Sequence, residues 1–379
     1  MQRLATVLRN RGVRFARVWG VVLASSLLAT VGWSQQPSLT WLGTLGGGVS
    51  FATGVSADGR VVVGEARNTA GNARAFRWEN GAMQDLGTLG GYRSEATGVS
   101  ADGGVVVGGT YNADSYQRAF RWENGIMQDL GTLPGGTGGR ATGVSADGRV
   151  VVGGADNAFW QGRAFRWENG IMQDLGTLGG DYSFATGVSA DGRVVVGEAR
   201  NAAGQNHAFR WENGAMQDLG TLGGNRSGAA SVSADGRVVV GVSDNAFGYA
   251  RAFRWENGIM QDLGTLGGRE GVAMDVTADG RVVVGAAEDA TRWWYAFRWT
   301  ATGGMENLNI TYTRLLTPGS ALWQASAISP DGRYIVGYGL NATTRRVEGF
   351  LLDTVPEPTS LLMLGVGLAG LLGLRRRKQ

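Results

Sequence analysis

Apolar and polar positions along this chain come in short bursts, and the same four bursts return at a near-constant step. Residues 52–89 show the unit. Ala52-Thr53-Gly54-Val55-Ser56 reads as a strand of small residues, Ala57-Asp58-Gly59-Arg60 as a tight turn, and Val61-Val62-Val63-Gly64 as an apolar strand. A variable stretch from Glu65 to Asn72 follows. Arg74-Ala75-Phe76-Arg77-Trp78 then alternates strictly, Asn80-Gly81 turns the chain, and Met83 to Leu89 forms a fourth strand. Asp-Gly and Asn-Gly between strand-like segments suit two-residue hairpin turns, whose central residues need positive φ. Each unit is therefore predicted to be a four-stranded antiparallel meander. A two-residue Asn80-Gly81 loop sets Trp78 opposite Met83 and Glu79 opposite Ala82. The first pairing recurs as Trp122–Met127, Trp167–Met172, Trp211–Met216 and Trp255–Met260, and it places thioether sulfur against an aromatic ring.

Asp-Gly stands at 58, 102, 147, 191, 235, 279 and 331, in steps of 44 or 45 residues with a last step of 52. Such a period means a solenoid, a propeller or an array. Burying one Phe or Leu contributes roughly 1.5–3 kcal/mol, too little for a lone unit to offset the entropy of ordering it, so neighbouring copies must cover one another. The ends choose the architecture. Ser38 to Leu45 is a lone fourth strand, whereas the last copy supplies a first strand (Ala325–Ser329), a second (Tyr334–Tyr338) and a third (Gly349–Leu352) but no fourth. A solenoid would want polar caps instead. The expected fold is all-β: a seven-bladed β-propeller of four-stranded antiparallel blades, closed by an N-terminal strand that completes the last blade.

Charge separates the ends from the middle. Residues 1–34 carry five arginines and no acid, followed by the apolar run Val18 to Trp33, the pattern of a signal peptide cut between Ala29 and Gln35. At the other end Pro356-Glu357-Pro358 precedes an apolar stretch, Thr359 to Leu374, and then Arg375-Arg376-Arg377-Lys378. That stretch reads as a short transmembrane helix with its cations on the cytoplasmic side. The whole chain has a net charge of +3, but residues 36–355 hold 26 basic against 31 acidic residues, a net of about −5. Nucleic-acid binding has no electrostatic support there. With no cysteine, disulfides, thiolate metal sites and cysteine nucleophiles are excluded.

The Pro-Glu-Pro, apolar, Arg-rich ending resembles the PEP-CTERM sorting signal of Gram-negative bacteria that make exopolysaccharide. The resemblance implies an exosortase-type partner acting near Pro356, Glu357 and Pro358. It also implies transient anchoring in the inner membrane and delivery to the outer surface or extracellular matrix. The repeated Ala-Phe-Arg-Trp-Glu-Asn-Gly pattern, with His207-Ala208-Phe209 in one copy, resembles the bacterial HAF-repeat family of extracellular proteins over nearly all of 39–353. That likeness implies a secreted repeat protein and transfers no activity.

Candidate chemistry is thin. In an antiparallel unit the uniform Asp-Gly and Asn-Gly turns share one end, and the variable connections share the other. The variable end carries unpatterned aromatics: Tyr92, Tyr111, Tyr116, Phe159, Trp160, Tyr182, Phe184, Phe247, Tyr249, Trp293, Trp294 and Tyr295. Rings beside Asn, Asp and Arg suit stacking on sugars or on another surface protein, and the same rings also suit small loop cores. His207 occupies a slot held elsewhere by Arg74, Arg118, Arg163, Arg251, Tyr295 and Glu348, so it reads as a surface strand position. Asp58, Glu79, Asp85 and their copies read as turn and pairing residues, with Asp85 expected to pair Arg77 and the Asp of each Asp-Gly to adopt left-handed geometry. Asp275 breaks pattern: it replaces Gly54, Gly98, Gly143 and Gly187 and is expected to face a central channel. Asp156-Asn157 and Asp244-Asn245 lack calcium-site spacing, and the Gly-Gly pairs precede strands rather than helices, which excludes a phosphate loop. No metal or cofactor is expected. The function expected is a non-enzymatic exported component of the exopolysaccharide layer. The alternative, by analogy of fold alone, is a polysaccharide hydrolase or lyase.

Overall fold

Alternation and turn chemistry set the strands in the computed structural model, which describes residues 36–355. The expected signal peptide, the apolar helix of 359–374, and Pro356, Glu357, Pro358, Arg375, Arg376 and Arg377 lie outside the described residues. Among the described residues no helix is long and apolar enough to cross a membrane. The first strands are β1 (Ser38–Trp41), β2 (Gly46–Val55), β3 (Val61–Asn68), β4 (Ala73–Glu79) and β5 (Ala82–Asp85). The pattern of β2 to β5 then repeats along the chain. Five sheets have four strands. A sixth has eight, because Val49 makes one parallel bridge to Val347 and links the first meander to the last.

Hairpin register follows the sequence reading. Trp78 faces Met83 and Glu79 faces Ala82, and the other four Trp–Met pairs occur at the expected positions. Asn80 and Gly81 have φ of 52° and 82°, the left-handed pair that such a turn demands. The Asp-Gly turn is built differently. Gly59 has φ of 71°, but Asp58 does not enter the left-handed region. Its carboxylate accepts from the Arg60 N–H at 3.0 Å and from the Ser56 hydroxyl at 2.7 Å, and Gly59 N–H reaches Ser56 C=O. This is a four-residue loop, Ala57 to Arg60, whose third residue is a left-handed glycine, and the aspartate serves as an acceptor. In Asp102, Asp147, Asp191 and Asp235 the same serine hydroxyl, then the backbone N–H, holds the carboxyl below its ordinary range.

Strand boundaries differ from expectation: β2 already starts at Gly46 rather than Ala52, β3 runs past Gly64 to Asn68, and the fourth strand is shorter. The fourth strand stops at Asp85 rather than Leu89, because the Asp85 carboxylate accepts from Gly87 N–H at 2.8 Å and Gly87 turns left-handed. The same stop shortens β1 to Trp41, where Gly43 has φ of 74°. The pairing of Arg77 also differs. It bonds Glu79 at 2.7 Å and Gly103 C=O, while Asp85 lies 3.7 Å from Arg74. Arg77 and Glu79 sit two apart on one face of β4 and so meet directly.

The core lies between sheets. Phe76 and its copies Phe120, Phe165, Phe209, Phe253, Phe297 and Phe350 are fully buried, each packed among residues of its own and the preceding repeat. Each apolar strand carries a glycine in its fourth place, after three valines in six copies and after Tyr334-Ile335-Val336 in the last, because a Cβ on Gly64 would overlap the Phe51 carbonyl and press on Phe76. Repeats are also stitched at their inner ends. Ala57 N–H donates to Ala101 C=O, Ala101 to Ala146, and so on through Ala190, Ala234 and Ala278 to Pro330 at 2.9–3.2 Å. Proline has no N–H, so this series does not return to Ala57.

First and last repeats meet by other means. β1 pairs antiparallel with Arg346–Asp353, setting Ser38 against Asp353 and Trp41 against Phe350. Gly349 N–H donates to the Ser50 hydroxyl, Phe51 meets Tyr338 edge-on at 5.0 Å, and Leu42 packs with Ala52, Phe76, Ala327 and Val336. The long last step is occupied by the short helix Leu308–Thr311 and a 3-10 turn, Thr313–Leu315, with Leu308 and Tyr312 buried.

Candidate functional site

The connections between second and third strands share one design. Asn68 Oδ1 accepts from Ala70 and Asn72 N–H, and the fourth residue of the turn, Gly71, has φ of 80°. Gly204 and Gly248 occupy that place in other copies, but Ser115, Trp160 and Arg292 hold it with φ of 64°, 60° and 67°. Trp160 is the bulkiest of them, and it is 71% exposed. The left-handed region costs a bulky residue roughly 1–2 kcal/mol, of which the extra unfolded-state freedom of glycine would return roughly 0.5–1 kcal/mol. Trp160→Gly is therefore expected to leave stability unchanged or raise it by about 1 kcal/mol, read from urea midpoints. A clear loss would mean that the ring is holding the loop together.

Beside Trp160 the third repeat is locally hollow. Its first strand runs only from Gly139 to Val144, against ten residues in β2, because Leu133-Pro134-Gly135-Gly136 loops out before it. A Cβ on Gly136 would overlap the Asp156 carbonyl. Gly154 stands where other copies have Glu65 or Glu198, and the Phe184 ring from the next repeat lies on it. A Cβ on Gly162 would touch Tyr182 at 3.2 Å. Missing side chains in one repeat thus admit rings from its neighbour. The result is a cleft of about 500 Å³ lined by Tyr116, Trp160, Tyr182 and Phe184, with Gln117, Arg140 and Asp156 as polar walls.

Charge within the cleft leans negative. Arg140 pairs with Glu95 at 2.7 Å, and Glu95 also meets Arg93 at 3.1 Å. Among the described residues neither the Asp156 carboxylate nor the Gln117 amide is paired with another side chain. Burial first, and Glu198 second, push the Tyr182 hydroxyl up to about 12, so it stays protonated and bonds Glu198 at 3.3 Å.

The other candidate rings fall elsewhere. Tyr92 stacks on Tyr111 at 4.8 Å. Tyr249 lies under Arg269, whose guanidinium is 5.2 Å from the ring and bonds its hydroxyl at 3.0 Å. Trp293, Phe159 and Phe247 are exposed, whereas Trp294 and Tyr295 sit half-buried on the strand Trp294–Thr300. The twelve rings therefore divide among separate places, and the cleft gathers four of them: Tyr116, Trp160, Tyr182 and Phe184. Gln117, Arg140 and the two glycines were not singled out from sequence, and Asp156 was weighed there only as a calcium ligand. The signals for them are the 45-residue step, Pro134, and glycine in place of glutamate.

His207 and Asp275 take structural posts. His207 Nδ1 lies 2.8 Å from Asp218, as Arg118 lies 2.9 Å from Asp129 and Arg251 3.0 Å from Asp262. A central cavity of about 560 Å³ is lined by small residues of every repeat and by Asp275. Thr53, Thr97, Thr142 and Thr186 donate to the carbonyls of Ala96, Ala141, Ala185 and Ala229 in the next repeat. Beyond them Asp275 takes over. It accepts from Ser231 at 2.6 Å, Val276 N–H at 2.8 Å and Ile328 N–H at 2.9 Å. The expected isolated acid is a clamp across three consecutive sheets.

Residues 354–378 match the PEP-CTERM protein-sorting motif, a signal recognised by exosortase that marks export and C-terminal membrane anchoring in Gram-negative bacteria. No curated protein sequence matches the chain. Among solved structures, the β-propeller domain of the Trilobed protease from Pyrococcus furiosus, described as having an open velcro topology, is similar at 11% identity with a TM-score of 0.51. The alignment covers 82% of this chain and 96% of that one. A puromycin-hydrolyzing peptidase of Mycobacterium tuberculosis is similar at 20% identity with a TM-score of 0.52, covering 79% of this chain and 52% of that one. TolB from Acinetobacter baumannii aligns at 11% identity with a TM-score of 0.43, covering 82% of this chain and 64% of that one. The chain thus spans about half the length of the peptidase and under two thirds of that TolB. At these identities the likeness concerns fold alone, and that fold is a β-propeller.

Proposed function

We propose that this is an exported, non-enzymatic propeller of seven blades, closed by its own N-terminal strand. Its role is that of a binding or structural component in the exopolysaccharide layer, at the outer surface or in the extracellular matrix. One observation carries the reading: a chain bearing an export and sorting signal presents exposed rings at the variable end of its strands. The closed ring is supported by the pairing of β1 with Arg346–Asp353. The likeness of the repeats to HAF-repeat proteins favours an extracellular setting. The non-enzymatic reading is supported by how the carboxylates are employed: Asp58 and its copies bond their own turns, and Asp275 clamps sheets. A glycosidase needs two carboxylates in unlike environments at one place.

The full chain, purified in detergent, is expected to co-sediment with exopolysaccharide from a producing strain without releasing reducing ends or unsaturated products. Polymer shortened in step with protein concentration would overturn the non-enzymatic reading, and a chain left in the supernatant would overturn the binding role.

A further inference from the structure

We infer that the cleft beside Trp160 is a subsite for a neutral pyranose oligosaccharide, an inference that rests on the surface role proposed above. Its volume of about 500 Å³ falls within the roughly 300–1,000 Å³ of ligand clefts. Three features select the ligand. First, Tyr116 and Trp160 are exposed rings on adjacent turns, and flat apolar faces of this kind stack on the C–H face of a sugar ring. Second, the Asp156 carboxylate and the Gln117 amide line the same cleft and are not engaged with other side chains, so an acceptor and a donor–acceptor group stand ready for hydroxyls. Third, the one cation lining the cleft, Arg140, is bound to Glu95. A uronic or phosphorylated sugar would meet the unpaired Asp156 carboxylate, with the one cationic charge already offset by Glu95, and like charge disfavours it. A peptide partner would leave the Asp156 and Gln117 groups to chance pairing, whereas a hydroxyl-rich ligand satisfies both from one ring.

Titration calorimetry of the full chain in detergent tests this with cellohexaose, maltohexaose and mannohexaose as neutral probes and hexagalacturonate as the anionic one. At least one neutral hexamer is expected to bind saturably, and hexagalacturonate is not. Trp160→Ala and Asp156→Ala are each expected to weaken binding about tenfold, while Phe247→Ala, an exposed ring on the same turn of the fifth repeat, stays within about twofold. Trp160 is outside the core, so its truncation leaves the fold intact, and a matching urea midpoint checks this. Silence from all neutral hexamers, preference for hexagalacturonate, or indifference to Trp160→Ala overturns the inference. If Phe247→Ala abolishes binding and Trp160→Ala does not, the wider surface role stands and the cleft falls. If the chain also fails to sediment with matrix polymer, both fall.

Discussion

A chain that begins at Gly46, placed behind its own export signal, is expected to unfold at markedly lower urea concentration than the natural one, or to aggregate. Deletion removes the strand that covers Phe350 and Leu352, including the edge-on contact of Trp41 with Phe350 at 6.2 Å. It also removes Leu42, which packs between the first and last repeats and donates its N–H to Gly349 C=O. Buried Leu42 contributes roughly 1.5–3 kcal/mol and half-buried Leu39 and Trp41 less each, together on the order of 4 kcal/mol, against about 5–15 kcal/mol for an ordinary domain. The uncovered Arg346–Asp353 edge is then a template for pairing between copies. A peptide of residues 36–45 supplied in trans should restore part of the midpoint. An unchanged midpoint on deletion would mean that the N-terminal strand is ornamental and that the first and last repeats hold together by face packing alone.

Asp275 is the second place where one change should act widely. Asp275→Ala leaves the Ile328 and Val276 N–H groups and the Ser231 hydroxyl without their acceptor. Unmet buried donors cost roughly 1–3 kcal/mol each, so a loss of about 3–5 kcal/mol is expected. Asp275→Asn keeps the shape but turns an amide donor toward one of those donors, and it should fall between. The pH dependence has a defined sign. Burial pushes the carboxyl above its ordinary value, so between that value and the raised one the folded chain holds a proton that the unfolded chain has released. The contribution of Asp275 is then greatest in acid and declines as pH rises through this window. The stability gap between the natural chain and Asp275→Asn should therefore narrow with rising pH and then level off. A gap that widens instead would show that the three hydrogen bonds outweigh desolvation.

Repeat phase and hairpin register were legible because they rest on local chemistry. Asn80-Gly81 can take two left-handed residues in succession, and that alone sets Trp78 against Met83. The Asp-Gly turn was misread because the same dipeptide also suits a loop in which aspartate bonds Arg60 N–H. Sequence carries no mark of which geometry wins until Ser56 is seen to bond both Asp58 and Val61. The helix Leu308–Thr311 hid inside a lengthened step, since one turn is too short for periodicity to reveal. The cleft was harder still. Counting rings found Tyr116, Trp160 and Tyr182, but it equally found Tyr92 and Tyr111, which occupy each other, and Tyr249, which occupies Arg269. What distinguishes the cleft is absence of side chains at Gly154 and Gly162, and an absence matters only once the neighbouring repeat is known to lie on it.

The two ends of the described chain leave together. Ser38 lies against Asp353, and Thr354, where the sorting motif begins, bonds Arg333 beside the last Asp-Gly turn at 2.8 Å. Trp160 stands at the other end of the strands, in the connection after Val150–Asp156. The Asp-Gly turn of the last repeat therefore lies beside the residues that lead into the sorting motif, whereas the aromatic cleft lies a strand's length away from them.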